Sequence, residues 1–112
     1  MSKTKVNKNF IWAKAFVNQI CDLGVRFACI SPGSRSTPLT LAFAEQKKIK
    51  CFVHIDERVS GFFALGLAKA SGFPVAIVTT SGTATAELYP AIIEAYQQRI
   101  PLIICTADRP PE

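Results

Sequence analysis

Among its 112 residues the chain has a single histidine, His54, and its four cysteines include no Cys-x-x-Cys pair. That poverty argues against a zinc site, and it gives no disulfide framework. Cys21, Cys29, Cys51 and Cys105 read as free thiols, three of them in or beside apolar runs where cysteine behaves as a small hydrophobe. Acids are also scarce, 8 against 13 lysines and arginines, for a net charge of +5. The excess base is scattered over the N-terminal tail and over Lys47, Lys48 and Lys50, with no interleaved aromatics. It reads as solvated surface charge, and no nucleic-acid partner is expected. No apolar run reaches the roughly 18–20 residues that span a bilayer, so no membrane span is expected. Lys3, Lys5 and Lys8 precede no apolar signal core, since Lys14, Asn18 and Gln19 interrupt the apolar residues after them, and a cytoplasmic protein is expected. The glycine-rich nucleotide fingerprints and the G-x-S-x-G elbow are missing too.

What is present is globular material: 49% of the residues are apolar and 10% aromatic. The length suits one domain, spanning residues 1–112, with no linker, repeat or low-complexity segment. Helix and strand patterns alternate. Residues 9–23 place Phe10, Ala13, Val17 and Ile20 on one helical face, with Gly24 as a stop. Residues 25–30 read as a buried strand, and Ser36 and Pro38 suit the cap and first turn of the next helix. Residues 51–54, 75–79 and 102–106 read as further strands. Residues 57–70 form a helix ending near Gly72, and residues 82–98 a fourth helix that Pro90 should kink or start late. Uniformly apolar strands are buried on both faces, as in parallel sheets. The fold expected is α/β, an open doubly wound parallel sheet with flavodoxin-like strand order 2-1-3-4, its switch point between the first and third strands.

In such a sheet every loop after a strand lies on one edge, where ligands bind. Those loops hold Ser31-Pro32-Gly33-Ser34-Arg35-Ser36, Ile55-Asp56-Glu57-Arg58, Thr80-Ser81-Gly82-Thr83 and Ala107-Asp108-Arg109. Hydroxyls, acids and arginines concentrate there, while the opposite connections carry ordinary turn residues. Each motif has a plain reading as well. Ser34 and Ser36 serve equally as helix caps or as an anion site, and Arg35 as a solvated side chain. Asp56 and Glu57 suit a helix start through the dipole alone. Residues 80–83 fit a capped turn, Arg109 an ordinary surface position, and His54 a strand end rather than a base.

In order along the chain, the strings Ser31-Pro32-Gly33-Ser34-Arg35-Ser36-Thr37-Pro38, His54-Ile55-Asp56-Glu57-Arg58 and Thr80-Ser81-Gly82-Thr83-Ala84 precede Thr106-Ala107-Asp108-Arg109-Pro110-Pro111-Glu112. Together they resemble the 2-succinyl-5-enolpyruvyl-6-hydroxy-3-cyclohexene-1-carboxylate (SEPHCHC) synthase family of menaquinone biosynthesis, which depends on thiamine diphosphate. The second and third strings are shared loosely by many thiamine-diphosphate enzymes, and the first and last single out this family. The resemblance implies decarboxylation of 2-oxoglutarate and addition of the succinyl unit to isochorismate, a transferase reaction. It implies that Glu57 is catalytic, hydrogen-bonding N1′ of the cofactor's aminopyrimidine, with Thr83 also at the cofactor. It implies that Ser34, Arg35 and Arg109 hold substrate carboxylates, for which arginine's planar fork is suited.

The same resemblance implies an N-terminal pyrimidine-binding domain, incomplete on its C-terminal side. The Mg²⁺ and diphosphate ligands, a G-D-G…N segment in the family, lie outside these residues, and no metal ligand is expected among them. Family active sites form between subunits, so the full protein is expected to be a homo-oligomer and the short chain alone inactive. Two other readings remain open: another thiamine-diphosphate decarboxylase or carboligase, and a non-catalytic α/β module that grips an anion.

Overall fold

The computed structural model describes residues 7–110. Asn7 caps the first helix, α1 (Lys8–Asp22), its side chain accepting from Asn9 N at 2.8 Å. Ala13, Val17, Ile20 and Cys21 form the buried stripe. The helix ends at Leu23, and Gly24 turns the chain with φ 117°. The first strand, β1 (Phe27–Ile30), begins two residues later than the apolar run suggests. Val25 and Arg26 are used to close α1 instead: Val25 N donates to Ile20 O at 3.0 Å, and Arg26 Nη1 donates to Cys21 O at 2.7 Å.

Next along the chain come α2 (Thr37–Glu45), β2 (Lys50–Val53), α3 (Glu57–Ser71), β3 (Val75–Thr79), α4 (Tyr89–Gln98) and β4 (Leu102–Thr106). Gly72, at φ 78°, ends α3 in the left-handed region that glycine adopts without penalty. Of the two outcomes expected for residues 82–98, the late start holds: two 3₁₀ turns, Gly82–Ala84 and Ala86–Leu88, precede α4. Pro90, which lacks a backbone donor, stands in the first turn of α4, where none is needed.

All strand pairs are parallel and the order is β2-β1-β3-β4, as the alternation predicts. β1 and β3 are the inner strands, and β3 is buried at every position. The side-chain alternation divides the core. Ala28, Ile30, Ala76 and Val78 face α1 and α2 around fully buried Phe43. Cys29, Val75 and Ile77 face Ala64 and Ala68 of α3 and Leu88 on the other side. Helices on both faces result from chain direction: β1 to β2 runs one way along the sheet, β2 to β3 to β4 the other. A right-handed crossover therefore places α2 on one face and α3 and α4 on the opposite face. Among the described residues no helix is long and apolar enough to cross a membrane.

Candidate functional site

The carboxyl ends of the four strands converge on one edge. Past β1, Ser31 N donates to Val78 O; past β2, His54 N donates to Ile30 O; past β4, Ala107 N donates to Thr79 O, each at 3.0 Å. The ladder thus carries one position beyond the strands and holds the loop starts level with one another. His54 is the first residue past β2, which runs one position earlier than the expected 51–54, and its ring lies 4.8 Å from that of Phe63.

The loop after β1 is built from its own hydroxyls. Gly33 leads into a single 3₁₀ turn, Ser34–Ser36. Ser36 occupies the N-cap position of α2, but its hydroxyl does not accept from the helix, which corrects the capping role expected for it. Instead Ser36 Oγ donates back to Gly33 O at 3.0 Å, and Thr37 Oγ1 donates to Ser34 O at 2.8 Å. A turn closed this way leaves Ser34 and Arg35 exposed. The two neighbours diverge: Ser34 lines an open hollow with Pro32, Gly33, Thr37 and Leu41, whereas Arg35 lies in another with Asn9, Trp12 and Pro38. Across β1 and β3, Gly33 abuts the side chain of Thr80.

Glu57 is the first residue of α3 and half-buried. Asp56 is its N-cap, with Oδ1 accepting from Arg58 N at 2.9 Å. Other backbone donors of the first turn still point toward the edge, a setting that favours anionic groups. Thr83 sits exposed in the turn after β3, which Gly82 enters with φ 78°. Arg109 is exposed after β4, its backbone N donating to Asp108 Oδ1 at 2.7 Å.

Ser34, Arg35, Glu57, Thr83 and Arg109 therefore all come after strands of one parallel sheet and stand on its carboxyl edge. Among the described residues no hydrogen bond or ion pair joins them to each other. Glu57 opens α3 and Arg35 leads into α2, helices on opposite faces of the sheet. Nor does any group of three His, Cys, Asp or Glu side chains among the described residues offer a metal site. Two features escaped the sequence reading. The Gly33–Thr80 contact depends on how closely the loops approach past the ends of β1 and β3, which apolar patterning does not report, and a layer of buried polar atoms beneath α3 appears only once strand register is known.

Residues 12–112 match the family model described as the thiamine pyrophosphate enzyme N-terminal TPP binding domain. Over 110 residues the chain is 56% identical to the 2-succinyl-5-enolpyruvyl-6-hydroxy-3-cyclohexene-1-carboxylate synthase of Shewanella frigidimarina, covering 98% of this chain and 19% of that protein. The proteins of the same name from Shewanella oneidensis and Shewanella halifaxensis are each 59% identical over 104 residues, 93% of this chain and 18% of theirs. The chain thus spans about a fifth of the length of the curated relatives it matches.

Proposed function

Because the chain belongs to the thiamine pyrophosphate enzyme family through that N-terminal domain, we propose that it supplies the pyrimidine-facing side of the active site of a SEPHCHC synthase. In this reading the complete protein decarboxylates 2-oxoglutarate and adds the succinyl unit to isochorismate, as a cytoplasmic homo-oligomer. The observation that carries it is the position of Glu57: a half-buried carboxylate on the first turn of α3, at the same sheet edge as Ser34, Arg35, Thr83 and Arg109. The identity of the relatives supports the choice of reaction over other thiamine-dependent ones.

The residues fit the pyrimidine end of the cofactor. An acid held at a helix start can share a proton with a ring nitrogen. The close approach of Gly33 to Thr80, which a Cβ would obstruct, brings the loops after β1 and β3 together beside the switch point. In this reading the Mg²⁺ and diphosphate ligands lie outside these residues, as the resemblance implies. When bound, thiamine diphosphate supplies the electron sink for decarboxylation. The chain's own work is to hold a proton at Glu57, to set Thr83 against the pyrimidine, and to grip carboxylates with Ser34, Arg35 and Arg109.

The test belongs in the full-length protein. Glu57→Gln keeps shape and a hydrogen bond but cannot exchange the proton, so hydrogen–deuterium exchange at the thiazolium carbon should slow by about 10²–10⁴. Arg35→Ala should leave that exchange intact and raise KM for the dicarboxylic substrates. An unchanged exchange rate in Glu57→Gln would return Glu57 to a helix-start acid and sink the proposal. Residues 1–112 alone should show no micromolar, Mg²⁺-dependent binding of thiamine diphosphate in a calorimetric titration.

A further inference from the structure

Five buried side-chain polar atoms have no hydrogen-bond partner among the described residues: Ser31 Oγ, Thr40 Oγ1, His54 Nδ1, Ser60 Oγ and Thr79 Oγ1. Thr40 stands on α2. The other four share one layer, which strand register reveals. Ile30 pairs with Val53 on one side and with Val78 on the other. One step further along, Ser31 therefore lies between His54 and Thr79. Alternation sends all three to the same face, because Cys29, Phe52 and Ile77, two positions earlier, all pack in the α3 and α4 core. The side chain of His54 meets Phe63 of α3, in keeping with that face.

Ser60 covers the row from above. Ser60, Ala64 and Ala68 recur every fourth residue on the buried side of α3. The helix runs from the carboxyl end of β2 back to the start of β3, so its first turns lie over the strand ends. Ser31, Ser60 and Thr79 are each 0% exposed. Buried polar groups are nearly always partnered, and four orphaned atoms in one layer call for a common partner. Size decides which. No hydrogen bond joins any two of the four atoms, so their common partner has to come from outside the chain and be small enough for a buried layer, as a water is. With His54 half-buried beside three fully buried hydroxyl residues, the layer offers the polar atoms that a buried water needs for its typical three or so hydrogen bonds.

We infer that His54, Ser31, Thr79 and Ser60 form an internal hydration site, in which one or two waters bind the first turns of α3 to the carboxyl edge of the sheet. The site is independent of the role proposed for Glu57, although Glu57 stands one turn earlier on the same helix. A crystal structure of the full-length protein at about 1.5 Å should show a water peak about 2.7–3.2 Å from at least two of the four atoms. Thr79→Val keeps the shape and removes the hydroxyl. In the full-length protein it should lower Tm by about 1–3 °C, because the water loses a partner and the remaining groups lose theirs. A merely tolerated, unpartnered hydroxyl gives the opposite sign, since valine would relieve it. Absence of the peak, or an unchanged or raised Tm in Thr79→Val, overturns the inference. Should Thr79→Val fail to fold, Ser60→Ala carries the same test with the same sign.

Discussion

A Cβ added at Gly33 would fall 2.6 Å from Thr80 Cγ2 and 2.7 Å from its Oγ1, closer than real side chains approach. The backbone of Gly33, at φ −168°, is open to any residue, so the contact alone demands glycine there. Gly33→Ala must move the loop after β1 or that after β3, and should cost about 1–3 kcal/mol in urea denaturation. Gly66 offers the control. It lies in the interior of α3 with nothing near its added Cβ, and Gly66→Ala should stabilise by about 0.5–1 kcal/mol in the same assay. At this scale the sequence announced which residues crowd the edge but not how they point. Ser34 and Arg35 are adjacent in sequence and line different hollows, a divergence set by the tight turn between β1 and α2. Ser36 was legible as a residue at a helix start, yet its hydroxyl found a nearer partner in the Gly33 carbonyl.

Helix α3 shows how an element carries the site. Asp56 caps it, Glu57 opens it, Ser60, Gly61, Ala64, Leu65 and Ala68 bury one stripe, and Gly72 closes it. Each of these signals lies within a few residues, which is why the range 57–70 could be read almost unchanged from the sequence. Strands β3 and β4 were legible to the residue because turns bound them tightly on both sides. The segment over residues 82–98 was less so, since three-residue 3₁₀ turns are too short for apolar spacing to separate from an α-helical turn, and only Pro90 signalled the late start. Removing the cap in Asp56→Ala leaves a first-turn donor unmet and should lower stability by about 0.5–2 kcal/mol by chemical denaturation, with fraying confined to the start of α3 in amide exchange.

For the molecule as a whole, the parallel order was readable because handedness and alternation leave few alternatives. The core also has a chemical signature. Burial pushes the Cys29 thiol, on an inner strand, up to about 12 from 9.0, with the nearby Cys51 thiol adding to it, and burial pushes Cys105 up to about 11. The folded chain therefore keeps protons that the unfolded chain would release. Stability from these thiols is complete below about pH 9 and declines as pH rises through about 11 to 12. Denaturant midpoints should accordingly fall across that alkaline window, and Cys29→Ala and Cys105→Ala together should flatten the fall. The strand order also sets a timetable for synthesis. Phe27 meets Lys50 on one side, but its other neighbour, Val75, is made 48 positions later (27 to 75). At about 5–20 residues per second, a ribosome needs roughly 2–10 s to deliver it. Once β2 is made, about halfway through that interval, the newborn chain shows a half-finished, apolar ladder to its surroundings, so the same arrangement that seats the edge loops side by side makes the nascent protein a client for whatever shields it until β3 emerges.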